Sequence, residues 1–316
     1  MYGKNDMSRL TLKPTQLRLI REIAHHGQLQ LAAEALAMTQ PAASRMLTDV
    51  ERQIGAPLFD RQPKGMTPTE AGLVVIRRAR VILRELNSIA QDVAALTTGM
   101  NGAVRIGAVT GPAVSLLVAA IREVKHAAPQ ADITVEVLPS RDLLQQMLAG
   151  EMDLALCRIL PEFDSHDFNI LPMQDEGVAF LCRAAHPLAN APALTMTELS
   201  DYEWIMQGRG SPIREATLHA FADVGLAEPA NIINSPSLIL TIAYLAQSDA
   251  ITAVSDEVAQ LLMQPPVSAN FARLRTTSDI TVSPYYLLHL KRRPLSPLAT
   301  RLRDNLAERS LMRLGG

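Results

Sequence analysis

A predicted helix between Thr39 and Gly55 presents side chains whose types suit contact with the edges of nucleic-acid bases. Apolar residues recur in this helix at steps of four, three and four residues, so one face of the helix is predicted to be buried. That face carries Ala43, Leu47, Val50 and Ile54. The opposite face carries Gln40, Pro41, Ser44, Arg45 and Thr48, and these residues, together with Thr39 at the front of the helix, are its candidate DNA-binding residues. In the major groove of DNA, glutamine pairs with adenine, arginine pairs with guanine, and a small apolar ring contacts a thymine methyl group.

The elements before this helix predict a helix-turn-helix. Thr39 is predicted to cap the helix, its hydroxyl accepting from a free backbone amide, and Pro41 fits the first turn because its missing N–H has no partner there. Apolar spacing predicts earlier helices over 15–26, ended by Gly27, and over 30–36. In such a motif the second helix enters the major groove. The alternative is a solvated face on a small helical bundle.

Residues 56–98 predict a β-hairpin wing followed by one long helix. Lys64 lies in the turn of the hairpin, within reach of a phosphate group or the minor groove, and Thr69 is predicted to cap a helix that runs to about Leu96. A heptad stripe follows that helix, formed by Ile76, Ala79, Leu83, Leu86, Ala90 and Val93. A stripe this narrow favours pairing with a second chain, and the alternative is a helix that packs on its own domain.

These segments resemble the winged helix-turn-helix of bacterial LysR-type transcriptional regulators, and the rest of the chain resembles that family in outline. The resemblance rests on Ala32, Ala33, Gln40, Pro41, Ala42, Ser44, Glu51, Gly55, Leu58, Phe59, Arg61, Thr69 and Gly72. It implies contacts with double-stranded promoter DNA, a homodimer through the helix 69–96, a homotetramer, and RNA polymerase as a further candidate partner. The head is most similar to a sugar-linked subgroup, the galactose-binding-protein regulators.

Composition sets limits on the compartment and on the partners. Hydrophobic residues make up 48% and charged residues 20% of the chain, no apolar run is long enough for a membrane span, and no secretory signal is visible. Two cysteines, Cys157 and Cys182, fit a reducing compartment, so a cytoplasmic protein is expected. Through Leu96 there are 13 Lys and Arg against 9 Asp and Glu, whereas the remainder has 17 against 23. The excess of positive charge on the head favours contact between the head and a polyanion.

The remainder of the chain predicts an α/β body behind this all-α, winged head. Strands and helices alternate from residue 103, and the last segment, from Ser283, is predicted to return to the first sheet. The resemblance implies a two-lobed effector-binding domain of periplasmic-binding-protein type. We therefore expect a winged head at 1–68, a linker helix at 69–98 and an effector-binding domain at 103–316. Within that domain, lobe I spans about 103–170 and 283–316, and lobe II about 171–282.

Ligands in open parallel sheets bind beyond the carboxyl ends of the strands. Applied to this sequence, that rule selects nine candidate effector-binding residues, Thr110, Gly111, Ser115, Ser140, Arg141, Arg158, Gln207, Arg209 and Ser237. The resemblance favours a sugar as effector, although aromatic rings that would stack on one make up only 4% of the chain. The alternative is a small organic acid bound by Arg141, Arg158 or Arg209.

Catalytic motifs are missing from the sequence. The seven histidines form no metal-ligand pattern, and neither a nucleophile elbow nor a phosphate-binding loop is present, so no catalytic residue, metal or cofactor is predicted. Both cysteines lie in apolar strands and are expected to be buried and inert, with a redox-sensing pair as the alternative. A solute-binding or enzymatic α/β protein remains the alternative from another functional class.

Overall fold

The computed structural model describes residues 10–62, 65–98, 102–277 and 279–314. The chain divides into two compact units, the first formed by the residues up to Gly102 together with Leu148–Glu151, and the second by the remainder from Ala103. Within the described ranges, no helix has the length and apolar character needed to cross a membrane.

Four helices and a two-stranded hairpin form the first unit. Its elements are α1 (Pro14–His26), α2 (Leu29–Ala35), α3 (Gln40–Ile54), β1 (Phe59–Gln62), β2 (Gly65–Pro68) and α4 (Glu70–Thr98). Apolar residues at helical spacing form one core, which includes Leu19, Ile20, Ile23, Ala32, Ala43, Leu47, Val50, Leu58 and Ile76. Helix α1 ends at Gly27, whose φ of 65° is the left-handed conformation that glycine adopts without strain. The predicted winged helix-turn-helix is therefore confirmed.

The predicted role of Thr39 as a hydroxyl cap of α3 is wrong. Thr39 stands at the cap position, but its side chain makes no capping hydrogen bond. Pro41 supplies the reason, since it lies in the first turn and removes one of the amides that a cap hydroxyl accepts from. The Thr39 side chain is left exposed at the front of the helix.

The predicted seam along α4 needs a correction. Its first three residues, Ile76, Ala79 and Leu83, are buried in the head itself, the last two against Leu17 of α1. The first part of the seam therefore packs within the chain, whereas Leu86, its fourth residue, is exposed. Among the described side chains of α4, Ile82 and Ile89 are exposed next to Leu86, and Leu73 and Val74 are exposed elsewhere on the helix. The side chains of Ala90 and Val93 lie outside the described part of the structure.

The second unit contains two sheets, each covered by helices. Sheet I has the order β4-β3-β5-β13-β6, from strands β3 (Ala103–Ala108), β4 (Asp132–Val137), β5 (Leu154–Cys157), β6 (Phe168–Pro172) and β13 (Tyr286–Leu290). Strands β3, β4 and β5 are parallel, and β13 runs antiparallel to β5 and β6. The helices of this lobe are α5 (Thr110–Pro112), α6 (Val118–Ala127), α7 (Ser140–Leu148) and α12 (Pro297–Leu314). The predicted return of the chain to the first sheet is confirmed by β13.

Sheet II has the order β11-β7-β10-β8-β9, with β12 also paired to β7. Its strands are β7 (Glu176–Arg183), β8 (Trp204–Met206), β9 (Ile232–Asn234), β10 (Ile251–Ser255), β11 (Phe271–Leu274) and β12 (Thr281–Val282). Its helices are α8 (Met196–Ser200), α9 (Pro212–Asp223), α10 (Leu238–Leu245) and α11 (Asp256–Met263). The chain crosses between the sheets twice, once between β6 and β7 and once between β12 and β13, so the two-lobed α/β architecture is confirmed.

Sequence periodicity misplaced one helix start and missed several short elements. The helix predicted from Val114 begins at Thr110, as α5, and continues through a wider π-helical turn (Ala113–Leu117) into α6. Pro112 is compatible with this early start because it stands in the first turn. The elements that were not predicted are β6, β8, α8, α11, β11 and β12, most of which are too short to show a period of their own.

Candidate functional site

Helix α3 presents its predicted base-reading residues to solvent. Gln40, Pro41, Arg45 and Thr48 are exposed, and Ser44 is half-buried. The Thr48 hydroxyl donates to the Ser44 carbonyl at 3.0 Å, which holds it close to the helix. Arg45 makes no ion pair with any residue that the structure describes, so its guanidinium is available to an external acceptor. This face has the exposure that a recognition helix requires.

The wing is fixed to the helices by specific contacts. The Glu51 carboxylate accepts from the Leu58 amide at 2.8 Å, and the Met66 amide donates to the Gly27 carbonyl at 2.7 Å. Gly65 is needed at this contact, because a Cβ there would lie 2.5 Å from the same Gly27 oxygen. Lys64, the predicted phosphate contact, lies outside the described residues and stays a prediction.

In the second unit, a buried ion pair joins lobe I to both crossings between the lobes. The Arg158 Nη2 lies 2.5 Å from Glu176 Oε2, and the two side chains are only 6% and 2% exposed. Arg158 Nε donates to the Ser283 carbonyl at 2.7 Å, and its backbone amide donates to Ser140 Oγ at 3.1 Å. Two predicted residues, Ser140 and Arg158, are therefore in direct contact, and Glu176 and Ser283 belong to the two crossings.

The start of helix α5 meets this ion pair. A Cβ on Gly111 would lie 1.9 Å from Glu176 Oε1 and 3.0 Å from Ser255 Oγ, so residue 111 must be glycine for the carboxylate to lie where it does. Ser255 caps α11 of lobe II, where its hydroxyl accepts from the Val258 amide at 3.4 Å. Gly111 and Arg158 thus lie on two sides of Glu176, with Thr110 and Ser115 on the same helical run.

A second group of predicted residues lies on lobe II, around a buried arginine. The Arg214 side chain is 2% exposed and donates to the Gln207 carbonyl at 3.1 Å. It also donates to the Asn234 side-chain oxygen and pairs with Glu228. Arg214 therefore joins the loop after β8 to the last residue of β9 and to the segment between α9 and β9.

The remaining lobe II candidates are placed differently. Ser237 acts as a helix cap, since its hydroxyl accepts from the Leu240 amide at 3.2 Å. Arg209 is exposed, and the neighbouring Gly210 amide donates to Glu215 at 3.1 Å. Within the described part of the chain, no hydrogen bond joins Ser237 or Arg209 to the Glu176 group. The structure therefore brings Ser140 and Arg158 into contact and places Gln207 against Arg214, but it does not gather the predicted residues into one cluster.

Arg141 lies apart from the buried pair. Its side chain is 59% exposed and forms an ion pair with Glu162, which is 40% exposed. Because both side chains are solvated, this ion pair contributes little to the free energy of folding.

Three residues that the sequence analysis did not select lie at the centre of these contacts, namely Glu176, Ser255 and Arg214. Each is a charged or capping residue at the end of a strand or the start of a helix, which is a weak signal in sequence. Their roles depend on partners that are far away in the chain.

A surface depression of about 580 Å³ lies between α6 and α12 of lobe I. Its lining mixes Glu123, Asp304 and Glu308 with Arg301 and Asn305. Glu123 pairs with Arg309 at 2.7 Å and is largely solvated. None of the predicted effector-binding residues lines this depression.

Both cysteines are buried thiols, as predicted. Burial raises the pKa of Cys157 to about 12 and that of Cys182 to about 11. Cys157 lies in sheet I and Cys182 in sheet II, so they do not form a neighbouring redox pair. A thiol with so high a pKa carries almost no thiolate at neutral pH and reacts slowly. No group of three or more metal-binding side chains occurs in the described part of the chain.

Comparison with known proteins assigns these features to a family. Residues 14–73 match the family described as "Bacterial regulatory helix-turn-helix protein, lysR family", and residues 97–310 match "LysR substrate binding domain". The chain belongs to the LysR family. It is therefore a DNA-binding transcriptional regulator with an effector-binding domain, and the prediction that it is not an enzyme is confirmed.

Relatives and solved structures agree with this assignment. The chain is 38% identical over 250 residues to the regulator GbpR of Rhizobium radiobacter, which covers 78% of this chain and 83% of that protein. It is 34% identical over 297 residues to GbpR of Azospirillum brasilense, covering 94% and 86%. The fold is similar to the crystal structure of full-length CbnR with its target DNA, with a TM-score of 0.68 at 18% identity, covering 94% and 100% of the two chains.

Proposed function

We propose that this LysR-family regulator responds to a neutral sugar that binds between the two lobes of its effector-binding domain. The observation that supports this proposal is the state of the arginines that an acidic effector would use. Two of the three candidates have a counter-charge, since Arg158 is neutralised by Glu176 and Arg141 is paired with Glu162, whereas Arg209 is exposed. Hydroxyl and carboxylate groups predominate around Gly111, and these groups accept hydrogen bonds from sugar hydroxyls. The resemblance of the chain to the GbpR relatives favours the same class of effector.

The response of the protein is proposed to be a shift between two populated arrangements of the lobes. Arg158 holds Glu176 and Ser283, so its hydrogen bonds span both chain crossings. A ligand that binds beside this group with different affinity in the two arrangements shifts their populations. In a dimer, the shift changes how the subunits pack and therefore the spacing of the paired recognition helices on their half-sites.

Dimerisation is proposed to use the exposed apolar stripe of α4. Ile82, Leu86 and Ile89 are 44%, 42% and 57% exposed and follow each other at steps of four and three residues. This spacing is typical of a seam between two helices. A homotetramer built from two such dimers, and a contact with RNA polymerase, remain proposals from the family resemblance.

The effector proposal is tested by promoter binding in the presence of candidate ligands. The purified full-length protein is titrated against the promoter regions of its own and neighbouring genes, at several salt concentrations, with D-galactose, D-glucose, D-galactonate or D-gluconate. We expect salt-dependent, sequence-specific binding that a neutral sugar changes by about fivefold or more. A response to acids alone would overturn the sugar assignment. Ligand binding without any specific DNA binding would favour a solute-binding protein.

Arg45 is proposed to read a base from the front half of α3. Arg45→Ala is expected to weaken operator binding by about 1–3 kcal/mol and to leave binding to scrambled DNA almost unchanged. Fluorescence anisotropy at fixed salt measures both affinities. Arg52→Ala is the matched control, because Arg52 lies later in α3 and pairs with Asp49 at 2.5 Å. Equal losses on operator and scrambled DNA would instead assign Arg45 to a phosphate contact.

A further inference from the structure

Glu176 lies between two groups that favour a negative charge, namely the Arg158 guanidinium and the amino end of the helical run 110–127. Its side chain is 2% exposed, one oxygen pairs with Arg158, and the other lies where a Cβ of residue 111 would stand. Gly111 is the second residue of the helical run 110–127, whose amino end favours negative charge. The chain thus supplies its own carboxylate to both of the groups that would otherwise attract an anion.

The charges around Glu176 add to this effect. Asp256 begins α11, and its Oδ2 would lie 2.2 Å from a Cβ on Gly177, the residue after Glu176. The charge of Asp256 is paired with Arg273 at 2.8 Å. Burial raises the pKa of the next residue, Glu257, and the negative charge of Glu176 raises it further. The surroundings of the pair therefore disfavour additional negative charge.

We propose that Glu176 is the residue that makes the effector site select a neutral ligand over an anionic one. This inference rests on the proposed function and adds a residue-level cause to it. With Arg158 already neutralised, a ligand carboxylate finds no unpaired guanidinium in the Glu176 group and is repelled by the Glu176 oxygen that faces Gly111. A neutral polyol is not repelled, and its hydroxyls can donate to carboxylate oxygens.

The proposal predicts that removal of the Glu176 charge opens an anion site. Glu176→Gln keeps the size of the side chain and one oxygen that can accept from Arg158, but it leaves the guanidinium without a counter-charge. Malonate, a small dicarboxylate, is the probe, and ionic strength is held constant with sodium chloride. We expect saturating malonate to raise the Tm of the variant by at least about 3 °C more than that of the wild type.

Glu123→Gln is the matched control for this measurement. It removes one negative charge from the same lobe, at a solvated pair with Arg309 near the far end of the helical run. The control is expected to respond to malonate like the wild type. A Glu176→Gln variant that folds only with malonate would be the extreme form of the expected result. An equal malonate response of wild type, variant and control would overturn the proposal.

A double variant keeps the test available if the single variant does not fold at any malonate concentration. Arg158→Gln with Glu176→Gln leaves no buried charge unpaired. Calorimetry then compares D-galactose with D-galactonate, which differ in the presence of a carboxylate. We expect the preference for the neutral sugar to fall at least about fivefold relative to the wild type, because the Glu176 oxygen that faces Gly111 and does not pair with Arg158 no longer carries negative charge. An undiminished preference would overturn the role of Glu176.

The two levels of the proposal fail in different ways. The malonate measurement needs no knowledge of the effector, so it tests Glu176 even if no sugar binds. A wild type that binds aldonates better than sugars would overturn both the sugar assignment and the role of Glu176. A wild type that responds to a sugar, together with variants that keep its selectivity, would overturn the role of Glu176 alone.

Discussion

Replacement of Arg158 with methionine is expected to lower the free energy of unfolding of the effector-binding domain by about 3–5 kcal/mol. The substitution keeps much of the volume of the side chain but leaves the Glu176 carboxylate, 2% exposed, without its counter-charge. It also removes the donor to the Ser283 carbonyl. A buried charge without a partner is among the most destabilising defects that a single substitution can produce.

Urea unfolding followed by the fluorescence of Trp204 measures this effect. Trp204 is the single tryptophan of the chain and lies in sheet II, so its signal reports the effector-binding domain and not the head. Arg141→Met is the matched control, because the pair of Arg141 with Glu162 is solvated, with side chains 59% and 40% exposed. The control is expected to change stability by about 1 kcal/mol or less.

A double substitution separates lost charge pairing from lost packing. Arg158→Met combined with Glu176→Leu replaces the pair with apolar side chains and leaves no unpaired charge. Its stability is expected to return to within about 1 kcal/mol of the wild type or to exceed it. A double variant as unstable as Arg158→Met would show that packing and the Ser283 contact, and not the unpaired carboxylate, account for the loss.

Replacement of Trp204 with alanine is expected to cost lobe II about 3–5 kcal/mol. Trp204 is fully buried and packs edge-to-face against Phe180 and Phe221, with ring centroids 5.1 and 5.4 Å away. Its indole N–H donates to the Leu199 carbonyl at 3.0 Å. Truncation therefore removes a large apolar volume, two aromatic contacts and a buried hydrogen bond at once.

Thermal unfolding followed by far-ultraviolet circular dichroism measures the loss, since this variant has no tryptophan. Ile239→Ala is the control, because Ile239 is a large apolar residue of the same lobe that is 81% exposed. It is expected to change stability by less than about 0.5 kcal/mol. Trp204→Phe keeps an aromatic ring but loses the N–H donor and should fall between the two. A Trp204→Ala variant that melts with the wild type would contradict the core assignment of lobe II.

The sequence by itself determined those helices and strands in which apolar residues recur at a regular spacing. In α1 and α3, apolar residues at steps of three and four, with glycine at the end of each helix, identify both the helix and its buried face. The residues left on the opposite face of α3, such as Gln40 and Arg45, are for the same reason the exposed ones. Long alternating or apolar strands such as β3 and β10 were also found from their pattern alone.

Only the tertiary structure decided which part of the molecule each apolar helix face packs against. The period of α4 shows that Ile76, Ala79 and Leu83 lie on one face, but it is equally compatible with a second chain and with the head itself. The structure places this face against the head and leaves Ile82, Leu86 and Ile89 exposed. The spacing of apolar residues shows on which side of the helix axis their side chains lie. It does not show which domain or chain packs against that side.

The contacts of the effector site likewise needed the fold. Arg158 is recognisable in sequence as a charged residue at a strand end, but its partners lie 18, 18 and 125 positions away, at Ser140, Glu176 and Ser283. Glu176 stands at the start of a strand, and Arg214 lies in the first turn of a helix, where charged residues are common in any α/β protein. Their burial and pairing arise because the fold brings together residues that are distant in the chain. The Arg158 group forms where the chain crosses between the two sheets, and no local pattern encodes that meeting.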